Sequence, residues 1–549
     1  MKRLFTLLVL SLVLGIGAIN AQNQRVVVLE CFTSATCGPC ASANPALDNL
    51  INNNLNNLIA IKYHVNWPYE GDPMNLHNPN EVASRVSYYN VTGVPTSIAD
   101  GTWNGNSGNV TQNLVNQWAA VTSPLEMRMN YYLNDTQDTI NVIVMGRATE
   151  AITSSNLKLN IAVLEKTMTY TSAPCAHSNG ERVFHNVMKK MLPSSGGTMV
   201  NAMQAGDYFA YKYSWALANV MNVNELTAVA WLQDSNTKHV FQGCMPTDDF
   251  EPYYAKQAMI SDLDHMMKKV CSGTQNPFIM VDNLGSETIN SLTINVTSNG
   301  NNVAQINWEG NIESCHSAKI YLGELNFDVE SNNQMNIEIS AINGAPDDYE
   351  PSIYSYAFNS APVVENKTIK VTIRTDNNPE AITWDIVNTA TGNTVANGGP
   401  YSDVHHMYTE NVDLEENGCY RFTIYDATGD GLSGGSGLYG LKAGSTTLFS
   451  GGNFTDREAN EFSFIKNVGI EETTANTANI YPNPSHGIVT VETAGNGVLN
   501  VYNTTGQLVY NQKIEGQTTV DVSNIEKGAY LFVVTDDNGN NSKQIIVLQ

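Results

Sequence analysis

The chain has 549 residues, which is too many for one hydrophobic core and predicts about four or five domains. Its 28 basic and 53 acidic residues give a formal net charge of −25, and this negative field would repel the phosphates of nucleic acids. The composition therefore excludes a single-domain protein and argues against nucleic acid as a partner. The 8 cysteines are too few to form a disulfide scaffold in a chain of this length.

A secretory signal peptide is predicted at residues 1–21. Lys2 and Arg3 precede an uncharged apolar run, and small residues lead to Ala21. Its removal takes 2 of the 28 basic residues and none of the 53 acidic ones, so the net charge becomes −27. No later segment approaches the ~20 apolar residues of a membrane-spanning helix. We therefore expect an exported protein that passes through the periplasm, in an environment where disulfides persist.

Residues 22–123 alternate strand and helix signals. The runs "RVVVLECF" and "LIAIKYHV" have the continuous apolar character of buried strands. Helical spacing of apolar residues follows in three segments, "CASANPALDNLINNN", "NEVASRVSYYN" and "VTQNLVNQWAAV". This alternation is typical of an α/β unit.

The motif "TCGPC" lies where the first strand gives way to a helix. A helix N-terminus lowers the pKa of a thiol, because its free N–H groups and its dipole favour the thiolate, which is the nucleophile. Cys37 takes this position, and Cys40 follows one helical turn later, where it can resolve a mixed disulfide. Pro39 falls in the first helical turn, where its missing N–H costs nothing. The motif predicts a thiol–disulfide exchange site.

With this motif, residues 22–123 resemble a thioredoxin-like domain. The tetrapeptide "CGPC" matches thioredoxin, and Pro45 matches the proline that kinks its active-site helix. The run "YNVTGVPTSIADG" resembles the family segment that carries a cis-proline beside the redox pair, which would make Pro95 the cis residue. The resemblance implies that the backbone of Val94 binds an extended substrate peptide and that protein thiols and disulfides are the substrates.

Two departures from the thioredoxin pattern concern the proton acceptor and the substrate groove. Thioredoxins have a buried carboxylate six residues before the first active cysteine, and here that position is Cys31, which we expect to be a small core residue. Glu30 should face the other side of the strand, so proton transfer from Cys40 would need water or another group. The insertion "NWPYEGDPMNLHNPNE" would shape a substrate groove. The alternative to a redox site is a permanent Cys37–Cys40 disulfide, or Cys31 paired with one of these cysteines.

Residues 124–250 predict a β-sandwich, because β-rich runs alternate there with Asn, Asp, Ser and Gly turns. Together with the N-terminal motif, this region resembles the outer membrane protein 28-related family of Bacteroidota, whose members couple a thioredoxin-like domain to a β-sandwich. The matching runs are "VVVLECFTSATCGPC", "LKLNIAVLE", "FHNVMKKMLPSSGGTMV" and "TAVAWLQDSNTKHVFQG".

Four stretches follow the sandwich. Residues 251–275 contain "AKQAMISDLDHMMKKVCSG", which predicts a helical connector. Residues 276–360 resemble adhesion-type immunoglobulin-like modules, and residues 361–466 resemble a CUB-like β module. The Thr-rich segment 467–478 has the composition of a linker. The predicted fold class is thus multidomain, a thioredoxin-like α/β fold followed by immunoglobulin-like or jelly-roll β-sandwich modules.

The pairing of the remaining cysteines is left open by the sequence. Cys175 and Cys244 fall in the same predicted sandwich and could form a disulfide, and Cys271 with Cys315 is an equally open pair. Cys419 has no obvious local partner.

A candidate Ca²⁺ site lies in the loop "YDATGDGLSGGSG". Asp426 and Asp430 stand among glycines, so carboxylates and backbone carbonyls could converge on a hard cation. The spacing does not fit an EF-hand loop, and a glycine-rich turn between strands explains it equally well. The predicted exchange site itself requires no cofactor.

Residues 479–549 resemble a type IX secretion sorting domain. The motifs are "IYPNPSHGIVTVE", "LNVYNTTGQLVYNQ" and "KGAYLFVVTDDNGNNSKQIIVLQ", in the expected order at the C-terminus. The resemblance implies contact with the type IX machinery, passage across the outer membrane, removal of this domain, and either release or attachment to surface lipopolysaccharide.

These signals predict an exported cell-surface protein with a thiol–disulfide exchange site, possessing a thiol–disulfide oxidoreductase activity. The other hypothesis is a non-catalytic surface binding or adhesion protein that keeps the thioredoxin fold as a scaffold, because the β modules are much larger than the redox domain. Resemblance of fold does not choose between the two.

Overall fold

The structure is a computed structural model that describes residues 23–432, 437–466, 478–537 and 539–549. The predicted signal peptide and nearly all of the predicted linker lie outside the described residues. The chain divides into two compact units, Met1–Ile465 and Lys466–Gln549. Strands dominate both units, as the sequence predicts, with many sheets in the first unit and one five-stranded sheet in the second. Within the described parts, no helix is long and apolar enough to cross a membrane.

Among the residues that the structure describes, helices lie in the N-terminal part of the first unit, apart from short 3-10 turns. Each helix begins at a side chain that accepts a hydrogen bond from a free N–H of the first turn, and the first three carry a proline in that turn. The capping residues are Cys37, Asp72, Asn78 and Thr111. The helices are α1 (Gly38–Asn52), α2 (Pro73–His77), α3 (Pro79–Tyr89) and α4 (Gln112–Ala119), and the 3-10 turns are Ser107–Asn109, Val223–Glu225 and Pro379–Ala381.

The strands of this N-terminal part are β1 (Asn23–Gln24), β2 (Val27–Thr33), β3 (Leu58–His64), β4 (Thr96–Ala99), β5 (Trp103–Asn106) and β6 (Thr122–Ser123). Strands β2 and β3 run parallel and are buried along their whole length, as their continuous apolar sequences predict. Strand β4 pairs antiparallel with β2 on its other edge.

The next strands are β7 (Leu125–Leu133), β8 (Thr139–Ala148), β9 (Leu157–Thr169), β10 (Val183–Leu192), β11 (Thr198–Val200), β12 (Tyr208–Ala216), β13 (Leu226–Asp234) and β14 (Val240–Cys244). Strands β12, β8 and β7 form one sheet, which packs on β9 and β13 through a shared apolar core that includes Val142, Leu159 and Ala228. This is the β-sandwich predicted for residues 124–250.

The two regions that the sequence separates at residue 123 share one nine-stranded sheet, in the order β14-β13-β9-β10-β3-β2-β4-β5 with β11 on β9. The junction is a parallel pairing of β10 with β3, at Val187 and Lys62. Without β10, the buried strand β3 would expose an unpaired edge. The predicted division into a separate α/β domain and a separate sandwich is therefore wrong at the level of the sheet.

A buried ionic network joins helix α3 to this shared sheet. Glu30 on β2 is 1 % exposed and accepts hydrogen bonds from the Arg85 guanidinium at 2.7 and 2.9 Å. Tyr63 and Tyr89 also donate to its carboxylate, at 2.9 and 2.6 Å. Gln233 on β13 then donates to the hydroxyl of Tyr89 at 2.9 Å. Since each charge is buried with its partners in place, the network fixes the helix over the junction of the two regions.

The predicted helical connector at 251–275 is wrong, because these residues form the strands β15 (Ala258–Asp264), β16 (Lys269–Val270) and β17 (Thr274–Gln275). Strand β15 pairs antiparallel with β18 (Phe278–Asn283) and places Ala258 and Ile260 in the apolar core of the next module. Pairing along an available sheet edge overrides the helical preference of this segment.

Two further sandwiches complete the first unit, each built from two main sheets. The first continues with β19 (Ile289–Ser298), β20 (Asn301–Ile312), β21 (Ser317–Tyr321), β22 (Leu325–Asn326), β23 (Asn332–Ile342) and β24 (Ile353–Ser360). The second has β25 (Val363–Val364), β26 (Thr368–Arg374), β27 (Ile382–Asn388), β28 (Thr394–Gly398), β29 (Met407–Asp413), β30 (Gly418–Asp426), β31 (Leu438–Ala443), β32 (Thr446–Gly451) and β33 (Arg457–Phe464). Apolar residues alternate inward along these strands and fill a core in each sandwich.

A disulfide between Cys271 and Cys419 connects these two sandwiches across a sequence separation of 148 residues. The open alternatives Cys175–Cys244 and Cys271–Cys315 are both wrong, because Cys31, Cys175, Cys244 and Cys315 are free thiols. The sequence could not find this pair because its members lie in different modules.

Replacing Cys271 and Cys419 together with serine should lower the free energy of unfolding of the first unit by about 2–4 kcal/mol, because a long closed loop restricts the unfolded chain. Chemical denaturation of the oxidised proteins measures the difference. The matched control is Cys175→Ser, which removes a free and partly exposed thiol and should change stability by no more than about 0.5 kcal/mol. Equal stability of the double variant and the control would contradict the prediction.

The second unit is a small β fold with the strands β34 (Ala478–Tyr481), β35 (Ile488–Tyr502), β36 (Leu508–Asp521), β37 (Gly528–Asp536) and β38 (Asn541–Leu548). The structure explains two of the residues in its sequence motifs, Gly487 and Tyr530. Gly487 has φ +103° and a Cβ there would lie 2.7 Å from Cα of Ser523, so only glycine fits. The hydroxyl of Tyr530 donates to the carbonyl oxygen of Glu526 at 2.8 Å and holds the turn before β37.

Candidate functional site

Cys37 and Cys40 form a disulfide at the start of helix α1, with 5.2 Å between their Cα atoms. Cys37 is the N-cap residue, and its sulfur accepts a hydrogen bond from the backbone N–H of Cys40 at 3.1 Å. The same N–H group also donates to the carbonyl oxygen of Cys37 at 3.1 Å. The first cysteine therefore lies where the helix dipole and an N–H group that faces its sulfur favour a thiolate.

The Val94–Pro95 segment lies against the disulfide. The peptide bond between Val94 and Pro95 is cis, and the carbonyl oxygen of Val94 is 3.7 Å from the sulfur of Cys37. Val94 is half-buried and Pro95 is buried. The structure thus brings together the four residues that the sequence selects, Cys37, Cys40, Val94 and Pro95.

The predicted insertion holds the loop that precedes Cys37. Asp72 accepts hydrogen bonds from the backbone N–H of Ala35 at 2.6 Å and lies 2.9 Å from Nδ1 of His64. Burial alone would raise the pKa of Asp72, but His64 and the backbone N–H groups of Ala35 and Met74 outweigh it and hold this pKa below its usual value. The hydroxyl of Thr36 donates to the carbonyl oxygen of Tyr69 in the same insertion at 3.1 Å. These contacts fix the loop of residues 34–37, which we call the redox loop after its predicted role, on the insertion side.

A second segment, the β9–β10 loop (residues 170–182), holds the redox loop from the shared sheet. The backbone N–H of Asn179 donates to the carbonyl oxygen of Ala35 at 2.7 Å. The side-chain amide of Asn179 donates to the carbonyl oxygens of Ser34 at 3.2 Å and Cys37 at 3.0 Å. Sequence reasoning missed this residue, because an Asn-Gly pair in a loop predicts a turn and nothing more.

The redox pair is covered in the oxidised form. The exposed fraction is 2 % for Cys37 and 0 % for Cys40, whereas Gly38 and Pro39 between them are exposed. On one side of the loop, the ring of His177 stacks on the exposed ring of Tyr69, with 4.6 Å between ring centroids. A substrate peptide would have to approach Cys37 past these loops.

Cys31 lies in the apolar core between strand β2 and helix α1, as expected for a small core residue. It is 1 % exposed, and the hydroxyl of Ser97 lies 3.3 Å from its sulfur. Burial raises the pKa of the Cys31 thiol to about 11, so it remains protonated at neutral pH. Glu30 faces the opposite side of β2, in the network with Arg85. As the sequence predicts, neither residue supplies Cys40 with a carboxylate acceptor.

In the candidate Ca²⁺ loop, the carboxylate of Asp426 accepts hydrogen bonds from other residues of the same loop. It is 2 % exposed and accepts hydrogen bonds from Thr428 and from the backbone N–H groups of Asp430 and Gly431, both at 3.0 Å. The Thr428 hydroxyl also contacts the carboxylate of Asp430. These bonds stabilise a turn between β30 and β31, and residues 433–436 of the loop lie outside the described residues.

A cluster of Asp264, His265 and Asp456 has the residue types of a metal site. However, Arg457 donates to Nδ1 of His265 at 2.6 Å, and Nε2 of His265 lies 2.8 Å from Asp456. Both ring nitrogens therefore already have protein partners, and a metal ion would have to displace one of them.

The C-terminal unit matches a known family. The model for secretion system C-terminal sorting domains matches residues 479–548, which is nearly the whole predicted sorting domain. No curated protein matches the chain.

Several solved structures resemble parts of the chain. HBP35 of Porphyromonas gingivalis is 15 % identical, with a TM-score of 0.35 over 61 % of this chain and 98 % of its own. A protein from Agrobacterium tumefaciens is 13 % identical, with a TM-score of 0.29 over 43 % of this chain and 100 % of its own. Dimeric latent PorU from Porphyromonas gingivalis is 11 % identical, with a TM-score of 0.14 over 79 % of this chain and 35 % of its own. Similarities at this level carry no argument about activity.

The sorting domain carries the conclusion about location. A chain that ends in this domain is handed to the type IX secretion machinery and exported across the outer membrane. The protein is therefore a β-rich protein that is secreted or attached to the cell surface.

Proposed function

We propose that this exported protein is a thiol–disulfide oxidoreductase whose N-terminal region is thioredoxin-like, as in the outer membrane protein 28-related family. The observation that carries the proposal is the position of Cys37, which caps helix α1 beside the carbonyl oxygen of Val94. Its substrates would be thiols and disulfides of proteins outside the cell.

The proposed reaction is a pair of sulfur exchanges. A substrate thiolate attacks the sulfur of Cys37, a substrate–Cys37 disulfide forms, and Cys40 leaves as a thiolate. A second substrate thiolate then attacks the substrate sulfur of that disulfide, so the substrate is oxidised and the pair is left as a dithiol. In the opposite direction, the Cys37 thiolate attacks a substrate disulfide and Cys40 resolves the intermediate. Val94 and Pro95 would orient the substrate chain beside Cys37.

A redox titration of the mature protein tests this function. The protein is equilibrated with mixtures of reduced and oxidised glutathione or dithiothreitol, and the thiols of Cys37 and Cys40 are counted by alkylation and mass spectrometry. We expect the pair to change state reversibly under native conditions. A pair that stays oxidised against every such reductant until the protein unfolds would overturn the proposal.

One observation favours a second candidate, a surface binding or adhesion protein that retains the thioredoxin-like region as a scaffold. Cys37 is 2 % exposed and Cys40 is 0 % exposed, which suits a structural disulfide. The same titration separates the two candidates, because the scaffold predicts an inert pair and unchanged ligand binding after both cysteines are replaced. Attachment to surface lipopolysaccharide is compatible with either function.

Ca²⁺ at Asp426 and Asp430 remains a prediction that the exchange function does not require. If the ion binds there, a chelator should lower the melting temperature of the protein, and Asp430→Asn should remove that sensitivity. Asp135→Asn, in an exposed turn of another sandwich, is the matched control. A melting temperature that does not respond to the chelator would exclude the site.

A further inference from the structure

We infer that Asn179 and Glu181 are positioning residues of the redox pair, so that the β9–β10 loop tunes its reduction potential. This inference rests on the proposed exchange function. Both residues lie outside residues 22–123, the part of the sequence that resembles thioredoxin. The β9–β10 loop reaches the start of helix α1 because β9 and β10 belong to the same sheet as β2 and β3.

Asn179 holds the backbone on both sides of the turn before Cys37. Its hydrogen bonds to Ser34, Ala35 and Cys37 occupy three of the four carbonyl oxygens of residues 34–37. A carbonyl group that is bound in this way cannot rotate when the disulfide opens. The loop should therefore keep the geometry that directs the N–H of Cys40 at the sulfur of Cys37.

Glu181 adds a negative charge to this contact. One carboxylate oxygen accepts a hydrogen bond from the side-chain nitrogen of Asn179 at 2.6 Å, and the other accepts from Asn44 at 2.9 Å. The Asn179 nitrogen also donates to the carbonyl oxygen of Cys37, so one atom bridges the carboxylate and the first redox residue. Asn44 is buried in helix α1, one turn after Cys40. Glu181 is thus one side chain away from the backbone of Cys37, through Asn179, and it also contacts the helix turn that follows Cys40, through Asn44.

Among the described residues, no cationic side chain forms a salt bridge with Glu181. The adjacent Arg182 donates instead to the carbonyl oxygen of Thr171. Asp72, a second acidic group that contacts the loop, is paired with His64. An unbalanced carboxylate raises the free energy of a nearby thiolate. Glu181 should therefore oppose the helix dipole and keep the pair more reducing.

The test compares Glu181→Gln with the wild-type protein, because glutamine keeps the shape of the side chain and one oxygen that can accept from either Asn44 or Asn179, but it carries no charge. We expect the equilibrium constant for reduction by glutathione to rise about tenfold, equivalent to about 30 mV for a two-electron couple. The pKa of the Cys37 thiol, followed by its alkylation rate against pH, should fall. Glu251→Gln, an exposed carboxylate elsewhere in the unit, should change neither quantity.

Asn179→Ala is a second test variant. It removes the side-chain hydrogen bonds to the carbonyl oxygens of Ser34 and Cys37 and to the carboxylate of Glu181, so we expect the equilibrium constant for reduction to change in the same direction. If this variant does not fold, Glu181→Gln alone decides the inference. A reversible wild-type pair whose potential and thiol pKa are the same in Glu181→Gln would overturn the inference and leave the exchange function standing. A wild-type pair that no native-state reductant opens would overturn both.

Discussion

Replacing Cys37 with serine is expected to abolish disulfide exchange and reduce the observed rate to that of the uncatalysed reaction. The substituted oxygen can neither form nor accept the mixed disulfide. The fold should persist, because Cys37 caps helix α1 through an accepted hydrogen bond and serine is a good N-cap residue. Insulin reduction by dithiothreitol, with and without the protein, measures the rate.

The variant Cys40→Ser tests the resolving role of the second cysteine. Cys37 can still attack a substrate disulfide there, but no second thiol resolves the product, so the mixed disulfide accumulates and can be isolated with its substrate. Cys31→Ser is the matched control, because the Cys31 thiol is buried and has a pKa raised to about 11 by its burial. Full exchange activity in Cys37→Ser would contradict the assignment of the nucleophile.

The position of Cys37 and Cys40 at the start of helix α1 could be predicted from sequence because it depends on neighbouring residues. Cys37, Pro39 and Cys40 fall within one helical turn, and the strand before them is apolar and continuous. The sorting domain could also be recognised from sequence, because its motif residues form turns inside a single small fold, as Gly487 does. In both cases, the residues that determine the feature are neighbours in the chain.

The contacts that the sequence could not reveal join distant segments. Asn179 reaches Cys37 across 142 positions, and Cys271 pairs with Cys419 across 148. Neither pair has a spacing rule, and both depend on sheet order. The parallel pairing of β10 with β3 is also non-local. For this reason the sequence predicts a domain boundary at residue 123, whereas the sheet continues across it. Residues 251–275 misled the helix prediction because edge pairing, a tertiary effect, decides their conformation.

The shared sheet explains how one region can influence the other. The redox loop belongs to β2, whereas Asn179 and Glu181 belong to the connection between β9 and β10. Because β10 pairs directly with β3, and β3 with β2, the loop and the redox pair are held on the same rigid layer. A substitution that destabilises this sheet should therefore disturb the candidate site at Cys37 and Cys40 as well as the fold.

The residue that tests this coupling most strongly is Glu30, in the buried network over the junction. We expect Glu30→Gln to lower the free energy of unfolding of the first unit by about 3–5 kcal/mol, because it leaves the guanidinium of Arg85 as an uncompensated buried charge. Arg85 is 3 % exposed, so water cannot replace the lost carboxylate. Urea denaturation followed by circular dichroism measures the change.

The matched control is Glu126→Gln, which breaks another Arg–Glu pair in the same unit. Glu126 and Arg128 are in contact at 2.8 Å, but their side chains are 34 % and 36 % exposed, so the loss should be no more than about 1 kcal/mol. The two variants remove the same charge and differ in burial. If both cost the same, the Glu30 network does not hold the junction. If Glu30→Gln is much less stable and its Cys37–Cys40 pair is also reduced more readily, the stability of the shared sheet and the chemistry of the redox loop are coupled.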